Sequence, residues 1–213
     1  MAVKVQQGVL EGGDGSAALA WSVAQAPKSQ DSPNGDGYLL TRDGDRIMLA
    51  VVDGVGSGRD AHAAAEVCLR ALRTEGGHEP GPVFDRCHKA LEGTRGAALA
   101  LISVDLATAR LVWAAVGDID GCVFRGQDGK SVASMVQKAG TLGHHYSGIH
   151  LQDHALLPGD LVAVSSDGVS RRYRDQLPDM VSPGQFAESC LGTFGRANDD
   201  RTFAVLSFQK GGA

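Results

Sequence analysis

What the sequence lacks excludes several classes of protein. Its 213 residues include only four cysteines, scattered without a C-x-x-C pair, so we expect reduced, buried thiols rather than a zinc knuckle. No apolar run approaches the roughly 20 residues that cross a membrane, and the N-terminal residues lack the basic and apolar regions of a signal peptide. The net charge is −5, which gives no reason to expect nucleic acid or an anionic membrane as a partner. These absences predict a cytoplasmic protein.

Proline is also scarce, with 7 residues, whereas glycine is abundant, with 29. The glycines stand mostly between short apolar runs, which is typical of many strands joined by tight turns. Hydrophobic residues make up 43% of the chain and charged residues 21%, a composition that argues against disorder. Because no repeat, low-complexity tract or linker divides the sequence, we expect a single domain over residues 1–213.

Periodicity predicts helices that are segregated from the strands rather than alternating with them. Strands are predicted at 17–24, 97–104, 110–116, 121–125, 131–136, 161–165 and 202–208, with a hairpin over 37–52. Helices are predicted at 61–72, 83–91 and 183–194. The short connections between successive strands favour antiparallel pairing, because parallel neighbours need a crossover of roughly a dozen residues. This pattern predicts an α+β layered sandwich.

One strand of the hairpin ends in an unexpected way. Residues 47–58 read IMLAVVDGVGSG, so an apolar run ends on Asp53 and is followed by glycines at every second position. An ionised carboxylate beside an apolar interior is costly unless a partner pairs with it. The sequence must therefore supply a partner for Asp53.

The same arrangement occurs at other strand ends. In LVAVSSDGVS, Asp167 takes the place of Asp53, and NDDRTFAVLSF puts Asp199 and Asp200 directly before the last strand. Asp36 stands at the start of the hairpin. Turn chemistry alone explains any single Asp-Gly, but it is a weak explanation for acids at four strand ends.

The geometry of the hairpin brings two of these acids together. With Asp43-Gly44 as a two-residue turn, Asp36 lies opposite Val51, and Asp53 is its diagonal neighbour on the same face. Diagonal neighbours have Cβ atoms about 7 Å apart, close enough to reach a common cation. A longer turn would shift the register but would leave both acids at the same end of the hairpin.

Clustered carboxylates repel one another unless cations lie between them. A ligand set made only of oxygen atoms suits hard, octahedral ions such as Mg²⁺ or Mn²⁺ rather than zinc or copper. Two such ions about 3.5–4 Å apart can bridge a water molecule, lower its pKa and hold a phosphoryl oxygen. We therefore predict that the partner of Asp53 is a metal ion.

The motifs GDGYLL, VVDGVGSG, SSDGV and NDDRT, in this order and spacing, resemble those of the metal-dependent protein phosphatases (PPM, type 2C). The resemblance is to the bacterial SpoIIE-like branch and covers residues 16–208. It implies an αββα sandwich, in which two antiparallel sheets are flanked by helices, and a site for two Mn²⁺ or Mg²⁺ ions. It also implies in-line hydrolysis of phosphoserine or phosphothreonine by metal-bound water, without a covalent intermediate. The implied substrate is a phosphorylated bacterial signalling protein, with a STAS-type protein of a stressosome or anti-sigma pathway suspected.

The resemblance also assigns roles residue by residue. Asp53 would bridge both ions, and the carbonyl of Gly54 would bind one of them. Asp167 and Asp199 would hold the second ion, while Asp36 would bind directly or through water. These four aspartates would act in catalysis through the metal-bound water.

Two further acids have a weaker place in this scheme. Asp200 shares the motif of Asp199 and ranks below it as a ligand. Asp118 matches a position where some relatives hold a third, weaker metal ion, but a plain turn residue explains it as well, and we slightly favour the turn. The sequence also departs from many relatives outside this branch, because Val55 stands where they have a histidine, a candidate general acid. Only Lys28, and no arginine, precedes Asp36 in its loop.

Two other functions compete with this one. GSGRDA (56–61) matches the dinucleotide-binding pattern G-x-G-x-x-A, but that reading needs a second parallel strand where TEGGHEPGP reads as a turn. A phosphoprotein-binding module or inactive phosphatase with the same fold is the other alternative. The acids retained at all four ligand positions argue against it.

A histidine pair and an arginine-rich run are two further candidates for binding a metal ion or a protein. His150 and His154 have the i, i+4 spacing of a metal pair, but they lie in a strand-like stretch where that spacing does not bring them to one helical face. The run RRYR (171–174) could receive an acidic or phosphorylated protein, although such runs are usually solvated.

Overall fold

The computed structural model describes residues 3–73, 79–125, 129–175 and 182–211. The strands in these ranges are β1 (Lys4–Glu11), β2 (Ala17–Ala26), β3 (Asp36–Asp43), β4 (Arg46–Gly54), β5 (Ala97–Asp105), β6 (Arg110–Val116), β7 (Asp120–Arg125), β8 (Lys130–Ser134), β9 (Gln137–Lys138), β10 (Gln152–Ala155), β11 (Leu161–Ser165) and β12 (Arg201–Lys210). The helices are α1 (Arg59–Arg73), α2 (Pro80–Leu91), α3 (Pro183–Phe194) and a 3₁₀ turn at Arg171–Arg174.

The strands form two sheets that pack face to face. The first sheet has the order β1-β2-β12-β11-β7-β8, and the second has the order β10-β6-β5-β4-β3, with β9 added beside β6. All pairs are antiparallel except β6 with β9. Helices α1 and α2 cover the outer face of the second sheet, and α3 covers the outer face of the first. The predicted αββα sandwich is confirmed.

Strand β4 explains why an unbroken apolar run is needed inside this sandwich. Side chains alternate between the two faces of a strand. Ile47, Leu49 and Val51 belong to the core between the sheets, whereas Met48 and Val52 belong to the core beneath α1 and α2. A strand buried on both faces has no solvent-facing positions, so its sequence is continuously apolar.

Most of the predicted elements are confirmed, and their ends agree to within a few residues. The segments β11 and α3 begin and end at the residues that the sequence indicated. Strand β1 was not predicted; it is an edge strand with mostly exposed side chains. An edge strand buries little surface, so it shows little apolar alternation. All four cysteines are free and buried, as predicted.

The predicted register of the hairpin is wrong by two residues. Asp43 pairs with Arg46, so the turn is Gly44-Asp45 rather than Asp43-Gly44. Gly44 has a φ of 58°, a conformation that the first position of a tight hairpin turn requires and that glycine adopts without steric cost. A shift of two residues keeps every side chain on its predicted face. It also places Asp36 directly opposite Asp53 instead of diagonal to it.

The dinucleotide-binding alternative is contradicted by the topology. Such a site needs a second strand parallel to the first, after the helix. Most of the segment TEGGHEPGP lies outside the described residues. Strand β5, which follows α1 and α2, runs antiparallel to β4. Within the described ranges, no helix has the length and apolar character that crossing a bilayer requires.

Candidate metal centre

The predicted acids meet because several strand ends meet at one edge of the sandwich. In the second sheet, β3 begins with Asp36 at the edge where β4 ends with Asp53 and Gly54. In the first sheet, Asp167 follows the end of β11, and Asp199 precedes the start of β12, its antiparallel neighbour. Antiparallel pairing therefore brings the end of one strand to the start of the next. The site takes acids from both sheets.

Three carboxylates form the centre of this group. Asp53, Asp118 and Asp167 each offer an oxygen atom, and these oxygens lie within 4.8 Å of one another. They line an open cleft of about 610 Å³. Asp199 lines the same cleft, but it is not part of the tight group among the described residues.

Asp118 was expected to be a plain turn residue. It does lie in the connection between β6 and β7, but that connection also brings its exposed side chain against Asp53 and Asp167. Only the family resemblance pointed to Asp118, since no apolar strand with a following Asp-Gly marks the position. It joins the group because β6 and β7 lie in different sheets, so the link between them crosses the edge of the sandwich.

Asp36 is almost fully buried and lines a different cleft from the one lined by Asp53, Asp118 and Asp167. Its Oδ2 accepts a hydrogen bond of 2.6 Å from the hydroxyl of Ser166, a residue of the opposite sheet's β11–Asp167 segment. Its Oδ1 has no hydrogen-bond partner. Burial raises the pKa of Asp36 to about 7, and the charge of Asp200 contributes in the same direction. Ser166 carries no signal of its own in the sequence, although SSDG places it directly before Asp167.

Asp200 is not among the residues that line the open cleft. Its Oδ1 accepts a 2.8 Å hydrogen bond from the backbone N–H of Lys28, and its Oδ2 is buried without a partner. Asp199 instead lines the cleft and accepts a hydrogen bond from the backbone N–H of Asp200. Asp199 lies in the cleft with the other acids, and the ranking of Asp200 below it stays a prediction.

The electrostatics of the group favour the binding of cations. Burial raises the pKa of Asp53 to about 10, and the charges of Asp36, Asp167 and Asp118 add to the effect. Burial also raises the pKa of Asp167, with the charges of Asp118 and Asp199 acting in the same direction. Like charges held close together in a poorly solvated site disfavour ionisation. A bound divalent cation would reverse this effect and stabilise the ionised carboxylates.

The ligand atoms also fit the expected kind of ion. The donors are carboxylate oxygens, and one acid assigned to the site, Asp36, has a buried Oδ1 without a hydrogen-bond partner. Oxygen ligands suit Mg²⁺ or Mn²⁺. No histidine or cysteine belongs to the tight carboxylate group among the described residues, so the donors do not resemble a zinc site.

The glycines that follow Asp53 and Asp167 are required by close packing of the backbone. A Cβ atom on Gly54 would overlap the backbone carbonyl oxygen of Ala61 in α1, and one on Gly168 would overlap that of Asp200. Only glycine allows these approaches without a backbone shift. The two glycines therefore fix the positions of the acids that precede them.

The histidine pair does not form a site. His154 lies in β10 and packs edge-on against Trp113, with ring centroids 5.3 Å apart, while His150 lies outside the strand. The RRYR run has two environments. Arg171 and Arg174 contact the buried Asp120, whereas Arg172 lines a second cleft beside the acids.

Residues 43–208, well over half of the chain, match the protein family described as Stage II sporulation protein E (SpoIIE). The chain belongs to the SpoIIE family. Over 97 residues it is 24% identical to the phosphoserine phosphatase RsbX of Bacillus subtilis (strain 168), a match that covers 46% of this chain and 49% of RsbX. The match therefore spans about half the length of that relative.

Two solved structures share the SpoIIE-family fold of this chain. The crystal structure of RsbX in complex with magnesium superposes with a TM-score of 0.81 at 19% identity and covers 96% of this chain and 100% of its own. A chain from work on the bacterial stressosome, described as a modular system adapted to control secondary messenger signalling, gives a TM-score of 0.78 at 25% identity. That superposition covers 95% of this chain and 99% of the other.

Proposed function

We propose that this SpoIIE-family protein is a metal-dependent protein serine/threonine phosphatase. The observation that carries the proposal is the group of Asp53, Asp118 and Asp167, whose oxygens lie within 4.8 Å of one another in an open cleft. A phosphoryl group is anionic, so an acidic cleft can receive it only when cations cover the carboxylates. Family membership and the acidic cluster support the same activity independently.

We assign the ligands of two Mn²⁺ or Mg²⁺ ions from the residues that meet at this edge. Asp53 would be shared by both ions, with the Gly54 carbonyl on one and Asp167 and Asp199 on the other. Asp36 would support the site directly or through water. Asp118 is then the residue available for a third, weaker ion.

The bound ions would supply Lewis-acid polarisation of a phosphoryl oxygen and a lowered pKa for water. The residues of the protein hold and orient these parts. Ser166 and Asn34 fix the position of Asp36. The Ser166 hydroxyl donates to the Asp36 carboxylate, and the backbone N–H of Asp36 donates to Asn34 Oδ1. No histidine lines the cleft among the described residues, and the place after Gly54 is the exposed Val55. Protonation of the leaving hydroxyl would therefore fall to solvent.

The substrate that we propose is a phosphoserine or phosphothreonine protein of a bacterial signalling pathway. The match to RsbX, named a phosphoserine phosphatase, supports this class, and the likeness to a chain studied in the stressosome is consistent with it. A STAS-type protein of a stressosome or anti-sigma pathway is the specific candidate. A cytoplasmic location belongs to the same proposal.

The experiment is hydrolysis of an aryl phosphate and of a phosphoserine peptide with Mn²⁺, with Mg²⁺ and with a chelator. We expect release of phosphate with either metal and none with the chelator, because the carboxylates alone repel the substrate. Full activity in the chelator would contradict a metal-dependent mechanism. Binding of the peptide without any release of phosphate would instead support the inactive module.

A further inference from the structure

A second cleft adjoins the metal centre and has the opposite character. It has a volume of about 410 Å³ and is lined by Arg171, Arg172 and Arg196. It shares Asp118 and Asp167 with the acidic cleft. We name it the arginine cleft. A substrate bound at the carboxylates can therefore extend directly into it.

The arginines of this region differ in whether they pair with an acidic side chain. Asp120 is the buried acid of this region, and it accepts hydrogen bonds from Arg174 Nε at 2.9 Å and Nη2 at 2.6 Å. Arg171 Nε lies 3.3 Å from the same carboxylate. The side chains of Arg172 and Arg196 have no ion-pair or hydrogen-bond partner among the described residues. Two guanidinium groups are thus free to bind an anion.

The charge balance of the arginine cleft depends on the metal centre. Without cations, the carboxylates of Asp118 and Asp167 offset the two free arginines. When cations cover Asp118 and Asp167, and Arg174 and Arg171 pair with Asp120, the charge left in the cleft is positive. An anionic group beside the scissile phosphate would be attracted there.

The free arginines are carried by backbone that is tied to the metal-binding segment. The backbone N–H of Arg196 donates to the Gly168 carbonyl at 2.8 Å, and that of Ser170 donates to the Phe194 carbonyl at 2.8 Å. Tyr173 lies in the 3₁₀ turn, is fully buried, and donates from its hydroxyl to Asp120 at 2.8 Å. The two arginine-bearing segments are therefore held next to Asp167.

We propose that the arginine cleft is a specificity subsite that binds an acidic side chain of the substrate, next to the phosphoserine or phosphothreonine at the metal centre. Arg172 and Arg196 are the residues that would bind this acidic side chain. Planar guanidinium groups suit a carboxylate or a second phosphate, since both offer paired oxygen acceptors. This inference rests on the proposed phosphatase function, because that function places the phosphoresidue at Asp53, Asp118 and Asp167.

The first test compares three phosphoserine peptides with Mn²⁺, matched in length, whose flanking residue is Glu, Gln or a second phosphoserine. We expect kcat/KM to be about tenfold higher for the Glu peptide than for the Gln peptide, mainly through KM. In an Arg172→Gln, Arg196→Gln double variant this ratio should fall close to one. A ratio near one in the parent would overturn the inference, and so would an undiminished ratio in the variant. A kcat/KM that is higher for the second phosphoserine than for Glu, and that falls in the double variant, would support the inference and identify phosphate as the preferred anionic group.

Arg46→Gln is the matched control. It also removes an exposed arginine, but this residue lies at the other end of the hairpin and pairs with Asp105 at 3.6 Å. The control should keep the preference of the parent for the Glu peptide. Loss of the preference in the control as well would show a general charge effect and would contradict the assigned subsite.

A binding measurement separates failure of this inference from failure of the proposed function. The probe is an unphosphorylated peptide with Glu residues, labelled for fluorescence anisotropy. Its affinity for the Mn²⁺-loaded parent should fall at high salt, and its affinity for the double variant should be about tenfold lower than for the parent. If this holds while aryl phosphate is not hydrolysed, the subsite stands and the phosphatase proposal falls. If aryl phosphate is hydrolysed but the two arginines do not affect binding, the subsite falls alone.

Discussion

At the scale of single residues, Asp53 shows why an apolar strand can end on an acid. It continues the inner face of β4 that Ile47, Leu49 and Val51 occupy between the sheets. It lies at the edge, where the second sheet supplies Asp36 and the first supplies Asp167. Repulsion among these carboxylates lowers the stability of the metal-free folded protein, and a bound cation would offset this repulsion.

The stability of the metal-free protein should therefore fall as the pH rises. Burial raises the pKa of Asp36 from 3.8 to about 7 and that of Asp53 from 3.8 to about 10. A carboxyl with a raised pKa in the folded state binds its proton more tightly when folded, so its contribution is present at low pH and is lost as the pH rises through the folded pKa. Melting temperatures in a chelator should fall from pH 5 to pH 8, and Mn²⁺ should flatten this trend.

Other acids act in the opposite direction but in a different pH range. Asp14 and Asp105 have lowered pKa values. For Asp14 the main cause is hydrogen bonding with Ser16. For Asp105 burial acts to raise the pKa, but hydrogen bonds with Thr108 and Ala107 and the charge of Arg46 together outweigh it. Their contribution is lost only as the pH falls through the folded pKa, below about 4. A melting temperature that rises between pH 5 and pH 8 in the chelator would contradict the raised pKa values of the cluster.

At the scale of elements, the 3₁₀ turn after Asp167 depends on one buried acid at the start of β7. Asp120 is 2% exposed and binds Tyr173, Arg174 and Arg171. This contact joins the turn to the first sheet and so holds one side of the arginine cleft.

Asp120→Asn should destabilise the protein by about 2–4 kcal/mol, because it removes the charge that pairs with partly buried guanidinium groups and leaves them poorly satisfied. The measurement is urea unfolding, with the free energy compared at a constant m-value. Asp153→Asn is the control, since Asp153 pairs with Arg110 on an exposed edge and should cost no more than about 1 kcal/mol. Equal effects of the two substitutions would show that Asp120 does not anchor the turn.

The elements also show where prediction from sequence succeeds and where it fails. The hairpin is predictable because two strand-like runs flank an Asp-Gly turn signal, and its ends agree with the structure to within two residues. The position of the turn is not, because Gly44 serves equally well as the first or second residue of a tight turn. Strand β1 was missed because it buries little. Asp118 and Asp120 were not clear from the sequence, since their roles arise only when the link between β6 and β7 crosses from one sheet to the other.

At the scale of the whole molecule, the metal centre would join the two sheets. Asp53 and Gly54 belong to the second sheet, whereas Asp167 and Asp199 flank strands of the first. The resemblance carried by the four acid-bearing motifs implied that these acids meet at one edge, whereas hairpin geometry alone brought only Asp36 and Asp53 together. An ion bound between the sheets would stabilise the folded chain by mass action, since the unfolded chain offers no assembled site.

The most direct test of the metal centre is a set of thermal melts, with and without Mn²⁺, of the parent, Asp53→Asn and Asp60→Asn. Asp60 is the control because its side chain is 73% exposed and pairs with Arg95. We expect Mn²⁺ to raise the melting temperature of the parent and of Asp60→Asn, and to do so much less for Asp53→Asn. Without metal, Asp53→Asn should be at least as stable as the parent, because it loses a charge from a crowded site. Equal stabilisation of all three proteins by Mn²⁺, or unfolding of metal-free Asp53→Asn under conditions where the parent is folded, would contradict the assignment of Asp53 as a metal ligand.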